Sequence, residues 1–157
     1  MSRPLSLSAR QSLYAGGTDD VFLILLTFSH DSLAAPIRVT SDAVNTASRG
    51  DVFIAYPFDL SLPDDDETRP PRARLTIDNI DRQIMAAVRS LSTPPAVLIE
   101  IVRAADPDTV EARFADFKLL NVQYDVQVIQ GDISVEDFTT EPFPAHTFSP
   151  SLFPGLF

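Results

Sequence analysis

A chain of 157 residues with 45% apolar content holds one domain's worth of core and is not a wholly disordered polymer. Its formal net charge of −10, from 22 acids against 12 bases, opposes the clustered positive surface that duplex binding requires. The lack of cysteine excludes a disulfide framework, a thiolate metal site and a cysteine nucleophile.

Residues 5 to 15 read as a short helix, with Leu5, Ala9 and Leu13 at i, i+4, i+8, a cap at Ser6 or Ser8, and a stop at Gly16-Gly17. The opening residues Met1-Ser-Arg-Pro-Leu5 lack the pattern of a secretory signal. The longest apolar run, Val21 to Leu26, is far short of a membrane span. A soluble protein made in the cytoplasm, with no membrane partner, is the expectation. The stretch Val21 to Phe28 is apolar at successive positions and reads as a strand buried on both faces. Pro36 to Thr40 is a short partner strand, Ser41 to Gly50 a polar loop, and Asp51 to Tyr56 a further strand.

Next comes Pro63-Asp-Asp-Asp-Glu-Thr-Arg-Pro-Pro-Arg-Ala-Arg-Leu-Thr-Ile-Asp-Asn79, an acidic loop running into a strand. Ala73, Leu75 and Ile77 alternate with Arg72, Arg74 and Thr76, which marks a half-buried strand with an arginine-bearing outer face. A helix is predicted over 79–91, capped at Asp78 or Asn79, with Ile80, Ile84, Val88 and Leu91 on one stripe and Pro94-Pro95 beyond it.

The remainder reads as an antiparallel meander. Val97 to Val102 passes through a turn at Ala105-Asp-Pro-Asp108 into Val110 to Leu120. Val122, Tyr124, Val126 and Val128 alternate with polar residues, and Gln130-Gly131-Asp132 is taken as the turn into Ile133 to Phe138. The predicted fold is mainly β with a minor α part: an antiparallel β-sandwich or partly closed barrel over 1–138, carrying two short helices. Residues 139–157 form a separate arm. Phe143, Phe148, Phe153 and Phe157 recur among Pro142, Pro144, Pro150 and Pro154, a spacing that fits neither a helix nor a strand face. Such segments run extended and lay single side chains into pockets, on their own domain or on a neighbouring subunit.

The charges do not assemble into a catalyst on paper. The consecutive carboxylates Asp64, Asp65, Asp66 and Glu67 point alternately in an extended loop and fail the spacing of a calcium-binding loop. A solvated loop pairing with its own arginines, Arg72 and Arg74 among them, is the simpler reading. Asp132-Ile-Ser-Val-Glu136 alternates better but lacks a turn glycine inside it. His30 stands beside Ser29 and Asp31, yet strand neighbours rarely face one another as a triad must. His146 lies in the arm. Phosphate-cradling, zinc and dinucleotide motifs are missing from the sequence, so neither an enzyme nor a cofactor is expected.

Several motifs together carry a resemblance. They are Ser12-Leu-Tyr-Ala15, Asp20-Val-Phe-Leu-Ile-Leu-Leu-Thr27, Leu62-Pro-Asp-Asp-Asp66, Pro71-Arg-Ala-Arg-Leu-Thr-Ile-Asp-Asn-Ile80 and Phe153-Pro-Gly-Leu-Phe157. In these the chain resembles, end to end, a family of small tailed-phage and prophage proteins catalogued as a domain of unknown function. By size and layout that family is similar to minor tail proteins of the lambda M type. The resemblance implies a structural subunit of a tail tip, made in the host cytoplasm and destined for the virion tail. Its implied partners are other copies of itself, six by the tail analogy, and the tube and hub proteins. DNA would pass it without specific binding, with Asp64 to Glu67 as a repulsive lumen lining or an inter-ring contact. Two other classes compete. One is a carbohydrate- or ligand-binding β-sandwich for host recognition, against which stand the lack of Trp and only three Tyr. The other is a carboxylate–metal hydrolase centred on Asp64 to Asp66.

Overall fold

The computed structural model describes residues 5–61, 72–78, 86, 91, 93–125 and 128–135. It is mostly strand. One helix, α1 (Leu7–Tyr14), precedes β1 (Phe22–Ser29), β2 (Ile37–Thr40), β3 (Thr46–Ser48), β4 (Asp51–Ala55), β5 (Phe58–Ser61), β6 (Arg72–Asp78), β7 (Ala96–Arg103), β8 (Asp106–Tyr124) and β9 (Val128–Val135). These nine strands form one sheet in the order β3-β4-β2-β1-β7-β8-β9-β6-β5. The described neighbours pair antiparallel except β2 and β4, which are parallel.

β1 is apolar on both faces because both faces are covered. Leu26 and Phe28 join a core with Val39, Leu75, Ile99 and Leu119, while Leu23 and Leu25 join Phe53 and Val102 in a second core. Leu25, Leu26 and Ile99 are fully buried, and each such side chain contributes about 1.5–3 kcal/mol by leaving water. β6 behaves as its alternation requires, with Ala73, Leu75 and Ile77 buried. β7, β8 and β9 are successive neighbours, as the meander reading required.

The sandwich or partly closed barrel does not describe the hydrogen bonding. The sheet is single and open, with no pairing of β3 to β5 among the described residues. The reason lies in β8, a continuous 19-residue strand. Its first part pairs with β7 and its last part with β9, sharing Phe117 and Lys118, so the ladder is never cut into two sheets. Register shifts on β8 bend it instead, and two of them are single-residue insertions that hold a left-handed residue. One falls where Val97 opposite Phe117 gives way to Ile99 opposite Phe114, the other where Leu120 opposite Asp132 gives way to Gln123 opposite Gln130. Within them Asp116 and Asn121 take φ of 67° and 51°, the left-handed conformation that Asp and Asn tolerate best after Gly. Bulges sharpen the local twist, and the curl brings Leu75, Ile77 and Ile129 against Phe28 and Ile37.

Several sequence expectations are corrected. Gly131 is not in a turn but in the middle of β9, opposite Leu75. A Cβ there would come 2.6 Å from Leu119 Cδ1, so the glycine answers close packing. The β8–β9 reversal lies at Asp125 to Val128, where Asp125 N–H donates to the Val128 carbonyl at 2.9 Å. Consequently Val110–Leu120 and the strand beginning at Val122 are one element, and β9 replaces the strand placed at 133–138. The β7–β8 turn is Ala104-Ala105, with Asp106 already paired to Arg103.

The polar loop at 41–50 contains β3, and β5 is an additional strand. In α1, Ser6 is the cap, accepting from Ala9 N–H at 3.0 Å. Of the expected stripe Ala9 is buried, whereas Leu13 is exposed. The helix predicted over 79–91 lies outside the described residues apart from Ala86, which is helical, and Leu91, and the boundary at 138/139 lies outside them too.

Candidate functional site

Most of the residues singled out by sequence lie beyond the described structure. Asp64, Asp65, Asp66 and Glu67 are outside it, as are Phe143, Phe148, Phe153 and Phe157. The ends of the acidic stretch are nevertheless placed: it leaves β5 at Ser61 and returns at Arg72, joining the two outermost strands at one border of the sheet. Arg72 stands opposite Ser134 on β9. Arg74 stands opposite Asp132, its Nε 3.9 Å from Oδ1 with the Arg74 side chain 75% exposed. Asp132 also accepts from Asn121 Nδ2 at 3.2 Å. An ion pair so long and so wet is worth little. Asp132 therefore serves a strand-to-strand contact.

The structure builds two charged clusters elsewhere. In the first, Glu111 is the extra residue on β8 between the pairs Ile101–Ala112 and Val102–Val110. Its carboxylate is only 1% exposed and meets the start of α1. Ser6 N–H donates to Oε2 at 2.9 Å and Ser6 Oγ–H to Oε1 at 2.6 Å. Arg103 Nε donates to the same Oε1 at 3.2 Å, and its Nη1 to Asp20 Oδ2 at 3.1 Å. Burial alone would push the Glu111 carboxyl up; the bonds from Ser6 and Arg103 outweigh it and hold the group below the usual carboxylate range. The bond to Asp20, reinforced by Glu111, raises the Arg103 guanidinium above its ordinary value. Asp20 Oδ1 is buried and makes no hydrogen bond among the described residues.

The second cluster is a clamp. β3 and β4 are joined by Arg49-Gly50, with φ of 51° and 86°, a two-residue hairpin turn with both residues left-handed. The turn folds onto β7 and β8. Arg49 grips Glu100 with both arms, Nη1 to Oε1 at 2.9 Å and Nη2 to Oε2 at 2.5 Å. Arg49 N–H donates to Asp108 Oδ1 at 2.6 Å, and Ser48 Oγ–H to the Pro107 carbonyl at 2.7 Å. Glu100 is buried, so the bidentate fork is what makes its charge tolerable. That same bond raises the Arg49 guanidinium above its ordinary value against the cost of burial.

Neither cluster resembles reaction machinery. Asp20 and Glu111 share the Arg103 guanidinium, Glu100 takes that of Arg49, and Asp108 accepts from the Arg49 backbone; among the described residues no three His, Asp or Glu side chains gather as metal ligands. His30 turns away from a triad: Ser32 N–H donates to its Nδ1 at 3.0 Å, and its Nε2 lies 2.6 Å from Thr93 Oγ1. Because Nδ1 accepts, Nε2 carries the proton and donates to Thr93. An apolar cavity of about 20 Å³ opens between the curled halves of the sheet, lined by Phe28, Ile37, Leu75, Ile77, Leu119, Ile129 and Gly131. It has room for about one water-sized sphere and not for a sugar ring.

Residues 8–148 match the family model described as Domain of unknown function (DUF1833). The chain belongs to the DUF1833 family. The match runs from within α1 through β9 and takes in the acidic stretch, Phe143 and Phe148. A search of the curated proteins finds no match.

Sequence reasoning passed over both clusters of this DUF1833 chain. One left a signal: Glu100 is a lone acid in the apolar run Val97-Leu-Ile-Glu-Ile-Val102, which on a doubly covered strand demands a buried cation. Ser48-Arg-Gly-Asp51 likewise carries the glycine of a tight hairpin. Glu111 left none, because it alternates with Val110 and Ala112 as a solvent-facing residue would.

Proposed function

We propose that this DUF1833 protein is a structural subunit of a bacteriophage or prophage tail tip, assembled as a closed ring between tail tube and hub. The observation that carries the reading is the open sheet, one ladder of nine strands with two unlike ends, β3 and β5. Unlike ends favour heterologous contacts, in which each copy offers one surface and receives another, and such contacts close by rotation into rings. The motifs shared with tailed-phage proteins support the setting, and the lambda M-type analogy supplies six-fold symmetry.

In this reading Phe143, Phe148, Phe153 and Phe157 belong to an arm that fills a groove on the next subunit. Asp64 to Glu67 line the lumen or meet an adjacent ring, so that DNA slides past without being held. The protein works without a cofactor, first in the host cytoplasm and then in the virion tail. Deleting residues 139–157 tests it directly. The truncated chain is expected to keep its β-rich circular dichroism and to be a monomer that builds neither rings nor tails. Infectious tails built from truncated protein would refute the arm. The carbohydrate-binding alternative draws no support from the small apolar cavity.

A further inference from the structure

β8 is longer than the strand that pairs with its second edge. On one side β7 runs beside it from Asp106 to Lys118. On the other, β9 accompanies it only from Tyr124 to Phe117, where Val135 is the last paired residue. Among the described residues no strand pairs with that second edge at Val110, Ala112 or Arg113. An uncovered edge presents backbone N–H and C=O groups to any strand that can reach it. Farther along, the β3–β4 turn meets β8 at Pro107 and Asp108. The helix α1 touches β8 through the Glu111 carboxylate and not through the backbone of the edge. The open stretch is thus bounded, by Val135 at one end and by the β3–β4 turn at the other.

Direction decides what can fill it. β9 is antiparallel to β8, so a chain that continues straight on from Val135 passes Asp116 and travels toward Val110. The residues that follow are Glu136-Asp-Phe-Thr-Thr-Glu141, and then Pro142. They are the longest proline-free run after Val135, and only a run without proline offers an N–H at every position of a ladder. Phe138, Thr139 and Thr140 are residue types that pleated strands favour. At about 3.4 Å per residue the run spans about 20 Å, enough to pass the open stretch before Pro142 ends the pairing. A segment tethered at Val135 also meets the edge at a far higher effective concentration than a strand from another chain.

We infer that residues 136–141 dock on the open edge of β8 of their own chain, as an antiparallel continuation of β9. The inference does not need the ring reading and adds to it. The docked run takes up the first residues of the arm, so the proline-rich remainder sets out from Pro142, on the side of the sheet where the β3–β4 turn meets β8.

The cysteine-free sequence allows thiols to be placed at will. In the full-length protein Thr139→Cys is combined in turn with Arg113→Cys, with Ala112→Cys and, on the border strand β5, with Ser61→Cys. If the register that sets Val135 opposite Phe117 runs on unchanged, Thr139 falls beside Arg113; if one residue is left over at the Ala115-Asp116 bulge, it falls beside Ala112. Mild oxidation is expected to give an intrachain disulfide with one of these two positions, at monomer mass, and none with Ser61→Cys. Deleting residues 136–157 is expected to lower the melting temperature by about 5 °C relative to deleting 142–157. The same deletion is expected to remove hydrogen-exchange protection from the amides of residues 110–113 that do not bond β7.

Equal melting temperatures for the two truncations would overturn the docking. So would failure of both β8 pairs to close in folded protein, or closure with Ser61→Cys as fast as with β8. Disulfides that form only between chains would give the edge to a second copy, overturning the inference and leaving the ring reading standing. The ring itself is read from mass in solution: a chain that closes the intrachain disulfide yet stays monomeric, alone and with tail proteins, would overturn the ring reading and leave the docking intact.

Discussion

At Arg49 one contact offsets two costs. Its φ of 51° is a conformation that costs a side-chain-bearing residue about 1–2 kcal/mol, and Glu100 is a buried carboxylate. Placing the arginine at that turn aims its fork at the carboxylate, so the strain and the charge are answered by one bidentate contact. Arg49→Ala is expected to lower stability in urea by about 2 kcal/mol, less than for a fully buried pair because the arginine side chain keeps 40% exposure. Glu100→Gln, which retains an acceptor, is expected to cost about half as much. A loss below about 0.5 kcal/mol for Arg49→Ala would show the clamp to be incidental.

Gly131 makes the second residue-scale prediction. Gly131→Ala drives a methyl into Leu119 Cδ1 and is expected to cost about 1–2 kcal/mol, as overpacking does. In a Leu119→Ala background the same substitution should cost nothing or stabilise, and a double-mutant cycle reads the difference. Additivity of the two changes would contradict the close approach.

At the scale of elements, α1 depends on one carboxylate. The folded Glu111 group lies below its ordinary value, so its contribution is complete above the unfolded carboxylate pKa and is lost as pH falls through the folded one. Amide exchange at Ala9 is therefore expected to accelerate in acid before the sheet amides do. Glu111→Gln should leave α1 loosely docked at neutral pH and remove that acid step. Identical acid profiles for wild type and Glu111→Gln would show that another group anchors the helix.

Legibility in the sequence divides along the same line. β1, β2, β4, β6 and β7 were readable because their apolar periodicity is local and reports burial directly. The end of β8 and the start of β9 were misplaced because Gly131 has two meanings, a turn or a close neighbour, and only Leu119 decides between them. Asp116 and Asn121 were silent for a related reason: a bulge is defined by its partner strand. Glu111 looked exposed because the helix that covers it lies 105 residues away in the chain.

For the molecule as a whole, net charge and sheet topology act on different properties. The charge of −10 governs what the protein repels and leaves the fold untouched. Under the proposed tail-tip role, replacing Asp64, Asp65 and Asp66 together by Asn is expected to leave the melting temperature unchanged while disturbing assembly or DNA passage. This is measured as tail yield and DNA ejection from tails carrying the variant. Unaltered tails and ejection would remove the acidic stretch from the functional account.

Residue order alone was enough for the β class, the meander, the doubly buried first strand and the arginine-bearing sixth strand. Each of these follows from propensity and periodicity within a few residues. Whether the strands make two sheets or one was decided only in three dimensions, because it depends on β8 being long enough to pair with β7 and β9 at once. The same holds for the two ion clusters. Partners, registers and coverage are relations between distant segments, and a linear pattern carries only one side of each.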